Sequence, residues 1–343
     1  MRAIVLRWVR TVRRAPMFRD RGNVIATAVV GACLAYLAVW FVIRAVVNPT
    51  VTLPRGAGSS LRFILFGVYP FDRQWRPAVV CLLFVALYAA SANRAWWKRW
   101  LLAIWIAVPT AAVALLRGGF LGLSVVPSEF WGGLALTFLL STVGFAAAFP
   151  VAVLLAVGRR SQMPAIRALS IAYIELVRGV PLVTFLFMAS VMFPLFVPQG
   201  FTVDKLLRAQ VAFVMVIAAY LAEVVRAGLQ AVPRGQYEAA SSMGLRFWPA
   251  MILIVLPQAV RVTIPALVNT FIGLFKDTSL VAVIGLFDLL GAAKALVVAD
   301  PRWFARGAEV YLLVAAIYFA LCYPVSRYSQ HLERVLMARS RHS

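Results

Sequence analysis

Residues Gly235–Pro257 read GQYEAASSMGLRFWPAMILIVLP. The first half is polar and favours helix, with Glu238, Ala239 and Ala240 as good helix formers. Gly244 offers the left-handed turn that ends a short helix, and Pro249 falls early in a second helix, where a proline is tolerated. The second half is apolar and runs on from Ala250 to Phe275, interrupted by Pro257, Arg261 and Pro265. A helix–turn–helix that passes directly into a long apolar run reads as the junction between a membrane surface and a membrane span. The same segment also suits an ordinary loop between spans, since caps and turns of this kind occur in many loops.

Outward from this junction the chain is apolar almost throughout. It is 63% hydrophobic and only 13% charged, against about 45–50% and about 25% in soluble domains. Water solubility and intrinsic disorder are both excluded by that balance. A bilayer core needs roughly 20 apolar residues as helix. The runs Asn23–Val47, Ala78–Ala92, Trp100–Leu116, Trp131–Val157, Val180–Val197, Ala209–Val225, Ala250–Phe275 and Val310–Val325 supply them. The expected fold is an all-α integral membrane protein, a polytopic helical bundle of about eight transmembrane helices. Ser279–Val298 contains Asp288 and Lys294 and is expected as a short re-entrant or surface helix on the outer side.

Charge sets the orientation. Segments 1–22, 93–99, 158–179, 226–249 and 326–343 hold 21 of the 34 Lys and Arg residues, which places them on the cytoplasmic side. Seven arginines in the first 21 residues precede an apolar run too long for a cleavable signal, so a signal anchor is expected. Trp96, Trp97 and Trp100 beside Lys98 and Arg99 form an interfacial belt. Both termini are then cytoplasmic.

The chemistry the chain lacks is as informative. The net charge is +22, but the basic residues lie between apolar runs rather than in one stripe, so no nucleic acid is expected. There is no phosphate-cradling G-x-x-x-x-G-K-[ST], no H-E-x-x-H and no G-x-S-x-G. Cys33, Cys81 and Cys322 have no ligand spacing, and His331 and His342 sit in the tail. No catalytic residue, metal or cofactor is expected.

The positions Glu238, Ala239, Ala240, Gly244, Ile254, Leu256 and Pro257 resemble the signature loop of the membrane subunits of bacterial ABC importers, at its full spacing. Ile174–Leu182 (IELVRGVPL), Ala219–Gln230 (AYLAEVVRAGLQ) and Lys276–Leu280 (KDTSL) are similar to further blocks of the polar, histidine-permease-like amino-acid permeases. The added N-terminal spans and Ala189–Phe196 (ASVMFPLF) look like the longer M-type permease of general L-amino-acid importers. Ala227 stands where that pattern has a second glycine, a small-for-small change. The resemblance covers about residues 130–335 and implies a type I importer-like core of five helices. It also implies a division into 1–128 with about three extra spans, the permease domain 129–335 with its coupling loop 235–250, and a tail 336–343. The seven signature residues would couple to separate ABC ATPase subunits, which consume the ATP. A second, related permease and a periplasmic amino-acid-binding protein complete the system in the bacterial inner membrane. The alternative is an ion-gradient-driven secondary transporter or channel working without an ATPase, for which intramembrane acids are few.

Several polar residues remain open between two roles. Glu175 with Arg178, and Glu223 with Arg226, are spaced to pair locally on one helix face, either as helix-end anchors or as functional groups. Gly179-Val180-Pro181 is expected to break the chain where an inner-surface helix turns into a span. Thr184, Asn269 and Thr270 either line a substrate path or bond neighbouring helices. Lys276 and Asp277 are expected to cap a helix near the outer face, with Thr278 as a new N-cap. Reporters active only in the cytoplasm should work when fused at either end of the chain. One active end and one silent end would require a further span at Ser279–Val298.

Overall fold

A computed structural model describes residues 57–92, 99–198 and 202–340. The expected first span Asn23–Val47, the arginine-rich segment before it, Trp96 and Trp97 of the aromatic belt, and His342 lie outside the described residues. The chain divides into Met1–Ser59 and Ser60–Ser343.

The elements are helices: α1 Ala57–Phe66, α2 Trp75–Ala92, α3 Arg99–Arg117, α4 Gly133–Arg159 and α5 Pro164–Gly179. They continue with α6 Leu182–Phe196, α7 Lys205–Ala231, α8 Arg234–Ser242, α9 Phe247–Ile284, α10 Leu289–Ala299, α11 Pro301–Phe304 and α12 Gly307–Ser340. No strand occurs among the described residues. Helices α2, α4, α7, α9 and the Gly307–Arg334 part of α12 are each long and apolar enough to cross a bilayer, in agreement with the apolar runs. The run Trp100–Leu116 forms the shorter apolar helix α3.

The run Val180–Val197 does not cross by itself. It forms only α6, which meets α5 at a bend of 98°, and the two together have the length and apolarity of one broken span. Segment 158–179, read from sequence as a cytoplasmic loop, therefore belongs largely to the bundle. Ser170, Ile174 and Val177, spaced one helical turn apart, are buried, and Tyr173 Oη donates to the Met215 carbonyl of α7 at 2.8 Å. Val177 packs with Val216 and Ala219, near the middle of α7, so the break at Gly179-Val180-Pro181 lies halfway along that span. The expected break is present, but in mid-span rather than at the inner surface.

Pro257 and Pro265 do not interrupt α9. Immediately before Pro257 the helix widens to a π turn at Met251–Val255, with the Leu256 N–H bonded to the Met251 carbonyl. The extra residue in that turn accommodates the ring and the missing donor. At the other end Thr278 is not an N-cap. It is fully buried, donates its hydroxyl to the Phe275 carbonyl at 2.8 Å, and α9 tightens to 3₁₀ through Thr278–Ile284 before stopping at Gly285, φ +74°. The next cap is Asp288, which accepts from the Gly291 N–H at 2.8 Å, the Leu290 N–H at 3.3 Å and the Tyr318 hydroxyl at 3.1 Å. Burial pushes its carboxyl up to about 6 against those three donors. Helix α10, with 11 residues, is about 16 Å long and too short to cross. It sits beside the N-terminal end of α4, where the Gly133 N–H reaches the Phe287 carbonyl at 2.7 Å. On the same side Asp300 caps α11, and hydrogen bonds from Arg302 hold its carboxyl below the usual carboxylate range.

Helix α4 is the hub. One side packs on α7 through Leu136, Leu140 and Phe213; the other meets α2 and α3 through Phe84, Leu87, Leu116 and Phe138, with Phe84 stacked on Phe138 at 5.7 Å. Between apolar helices in lipid, close approach of backbones matters more than hydrophobic area. Gly228 shows this: a Cβ there would meet the Ala259 carbonyl of α9 at 2.6 Å. Its neighbour Ala227 is exposed, so the departure from a double glycine falls at the permissive position. Gly228→Val should separate α7 from α9 at a cost of about 1–3 kcal/mol, read as a lowered melting temperature in detergent. Ala227→Gly should leave the melting temperature nearly unchanged.

Candidate functional site: a docking hairpin and a broken span

The sequence Arg234–Ser242 folds as α8 because Glu238, Ala239 and Ala240 favour helix and Gly244 ends it. The closing hydrogen bonds run from Met243 N–H to the Ala239 carbonyl and from Leu245 N–H to the Ala240 carbonyl, both at 3.1 Å. This is the glycine-terminated helix end in which Gly244 takes the left-handed conformation, and its φ is +75° with no atom near a would-be Cβ. The requirement for glycine here is one of backbone conformation and not of space. Pro249 then sits in the first turn of α9, as the sequence reading has it.

Of the seven signature positions, Glu238, Ala239, Gly244 and Pro257 are exposed, Ile254 and Leu256 are half-buried in and beside the π turn, and Ala240 is buried at 1% exposure. They therefore divide into an outward-facing set and a supporting set. Met243, Phe247 and Trp248 add exposed apolar surface around Gly244, with Phe247 and Trp248 edge to face at 5.4 Å. The hairpin is fastened to its roots from both sides. Gln258 Nε2 donates to Gln236 Oε1 at 3.0 Å and to the Ile254 carbonyl at 2.9 Å. Tyr237 Oη donates to the Leu229 carbonyl at 3.0 Å, and Arg160 donates to that carbonyl at 3.0 Å and to Tyr237 Oη at 3.1 Å.

Above the hairpin the charged residues assemble differently from their sequence spacing. Glu223 and Arg226 do pair, at 2.8 Å. Glu175 and Arg178 do not: Glu175 binds Arg159 at 3.1 Å, and Arg178 lies over the Tyr220 ring at 5.5 Å. Arg159 also reaches Glu223 at 2.5 Å, so a guanidinium at the end of α4 serves carboxylates on α5 and α7. The reason is packing. Gly158 lets α5 approach so closely that a Cβ would collide with Ser170 Oγ, and this brings Glu175 within reach of α4. Arg159 and Arg160 are the site residues that spacing arguments miss. The visible signal is an Arg-Arg pair ending an apolar run, which by itself reads only as an inner-face anchor.

The three residues proposed for the substrate path are dispersed. Thr184 lies in the first turn of α6 and is exposed; Asn269 on α9 is also exposed. Thr270 is half-buried and donates its hydroxyl back to the Ala266 carbonyl at 3.0 Å. Among the described residues no hydrogen bond joins Thr184 to either of the others.

A long apolar bundle with a mid-span break and an anchored, exposed helical hairpin has the build of a transporter's membrane subunit. Residues 148–337 match the family described as binding-protein-dependent transport system inner membrane component. The chain is 47% identical over 276 residues to the inner membrane amino-acid ABC transporter permease protein YhdY of Escherichia coli (strain K12), covering 79% of this chain and 74% of that protein. It is 44% identical over 233 residues to the glutamate/glutamine/aspartate/asparagine transport system permease protein BztC of Rhodobacter capsulatus, covering 68% of this chain and 54% of that one. Among solved structures, a chain from a crystal structure of an amino acid ABC transporter with histidines matches with 33% identity and a TM-score of 0.51, over 59% of this chain and 91% of that one. The chain belongs to the family of inner membrane components of binding-protein-dependent transport systems. The resemblance read from the hairpin and the permease blocks holds at that level.

Enlarging buried Ala240 should cost more than enlarging exposed Ala239 by the same amount. Ala240→Leu should overpack the underside of α8, at about 1–3 kcal/mol, and expose the hairpin to limited proteolysis. Ala239→Leu should leave the cleavage pattern as it is in the wild type.

Proposed function

We propose that this chain is the permease subunit of an ATP-driven ABC importer carrying polar or general L-amino acids across the bacterial inner membrane. Support for the substrate class comes from the relatives. The E. coli protein is named for amino-acid transport, the R. capsulatus protein for glutamate, glutamine, aspartate and asparagine, and the solved complex is an amino acid ABC transporter.

The observation that carries the coupling is the hairpin: a short helix ended by a left-handed glycine, exposed at its tip and fastened at its base to α4, α7 and α9. In this reading separate ATPase subunits bind Glu238, Ala239 and the surface around Gly244, on this chain and on a second, related permease. A periplasmic amino-acid-binding protein delivers substrate to the side bearing α10, and both termini face the cytoplasm. The chain holds no cofactor of its own; ATP is bound and hydrolysed on the partner. When the ATPase subunits close, the hairpins move together, and α7 and α9 follow because Gly228 locks them backbone to backbone. The broken span α5–α6 then shifts between inward-open and outward-open arrangements. Thr184, one turn beyond the break, and Asn269 and Thr270 on α9 line the path in this reading, offering hydrogen bonds to a zwitterion.

Purification through a tag on this chain should bring down an ABC ATPase subunit, and the chain alone should hydrolyse no ATP. Gly244→Val forces a β-branched residue into a left-handed turn, at about 1 kcal/mol or more. It should leave membrane abundance normal while abolishing uptake and weakening ATPase association. Gly244→Asn, which tolerates that conformation, should retain most uptake. Normal uptake by Gly244→Val would place coupling elsewhere and favour a self-contained, ion-gradient-driven transporter.

A further inference from the structure

We infer that the adjacent residues Arg159 and Arg160 are a positioning pair that ties the docking helix α8 to the broken span, so that movement of one is felt by the other. The two guanidinium groups leave the same helix end in different directions. Arg160 holds Tyr237 of α8, by a hydrogen bond at 3.1 Å and by lying over the ring at 5.6 Å, and bonds the Leu229 carbonyl of α7 at 3.0 Å. Arg159 bonds Glu175 of α5 at 3.1 Å and Glu223 of α7 at 2.5 Å. Glu175 stands one helical turn before the break at Gly179-Val180-Pro181.

Three features make this a linkage rather than surface decoration. First, Arg159, Glu223 and Arg226 are 24%, 19% and 28% exposed, which leaves their pairs less screened than surface ones and holds the Arg159 guanidinium in place; Glu175, 56% exposed, is the solvent-facing arm of the linkage. Second, an open cleft of about 410 Å³ lies between α8 and the end of α7, with Arg160, Leu229, Gln230, Arg234, Tyr237 and Glu238 among its lining. It leaves α8 room to move against the end of α7, with Arg160 and Tyr237 bridging the space. Third, the planar guanidinium of Arg159 presents donors at fixed angles, so Nη2 holds Glu175 while Nη1 holds Glu223, and Arg160 Nη1 bonds both the Leu229 carbonyl and the Tyr237 hydroxyl. A displacement of α8 therefore pulls Arg160, the end of α4 and, through Arg159, the carboxylate beside the break.

This inference rests on the reading of the chain as an ATPase-coupled permease, and the test separates the two. The complete importer, with its ATPase subunits and binding protein, is reconstituted in vesicles for the wild type, Arg160→Gln, Arg160→Lys and Tyr237→Phe. The readouts are complex yield, basal ATP hydrolysis, stimulation by loaded binding protein, and amino acid taken up per ATP. A wild-type complex that fails to assemble or hydrolyse ATP overturns the functional reading itself. With a working wild type, Arg160→Gln and Tyr237→Phe should keep yield and basal hydrolysis while uptake per ATP falls by about tenfold, the scale of one hydrogen bond to a charged group; the bond they both remove is that from Arg160 to the Tyr237 hydroxyl, and each also removes a bond to the Leu229 carbonyl. Arg160→Lys should recover part of it. Should Arg160→Gln not assemble, Tyr237→Phe decides, because it keeps the ring and removes only the hydroxyl. Arg160→Gln combined with Glu175→Gln should lower uptake per ATP by less than the product of the single effects, since both cut one linkage. Unchanged uptake per ATP in Tyr237→Phe, or uptake that falls only in step with complex yield, overturns the inference in favour of a structural staple.

Discussion

Inside hydrocarbon each backbone N–H and C=O must find a partner within the protein, because no water is present to supply one. The rest of the structure follows from that constraint. It makes every membrane-length element among the described residues a helix, and it governs how each irregularity is resolved. The π turn before Pro257 keeps α9 unbroken by giving the ring space. A second π turn, Met188–Met192, has carbonyls of Ala189 and Ser190 bonded by the Arg208 guanidinium at 3.4 and 2.5 Å. Departures from regular helix occur where another side chain or the chain itself can close the account.

Function requires exceptions to that rule, and the molecule places them where neighbours support them. The break at Gly179-Val180-Pro181 lies against α7 at the level of Val216 and Ala219. The left-handed turn at Gly244 lies outside the span, at the exposed tip of the hairpin. Between these two points runs the ionic cluster of Arg159, Glu175, Glu223 and Arg226 together with Arg160 and Tyr237. Charges at the margin of a bilayer are costly unless paired, and the observed pairing satisfies them by joining α4, α5, α7 and α8. Electrostatic necessity and mechanical linkage are met by the same contacts.

Much of the fold was legible without coordinates, because long apolar runs at bilayer length leave few alternatives. The helices around Ala78–Ala92, Trp131–Val157, Ala209–Val225, Ala250–Phe275 and Val310–Val325 stand where the runs put them. The hairpin was legible for a different reason: Gly244 and Pro249 are local signals whose effect is confined to a turn. Errors arose where long-range packing overrode local spacing. Glu175 and Arg178 are well placed to pair on an isolated helix, yet Gly158 admits α5 so close to α4 that Arg159 wins Glu175. Thr278 has the chemistry of an N-cap, but buried beneath the bundle its hydroxyl turns to the Phe275 carbonyl and the real cap is Asp288.

By itself the sequence determined the class of solvent, the positions of most long apolar helices and the presence of a short helix–turn–helix before α9. Each is set by properties of short stretches: apolar length, charge and the conformational freedom of one glycine. Only the tertiary structure decided that segment 158–179 joins the bundle, that the broken span turns through 98° in mid-course, and that two consecutive arginines divide their partners between the hairpin and the break. Those outcomes depend on which helices can approach closely, and that is set by small residues such as Gly158 and Gly228 acting across segments distant in the chain.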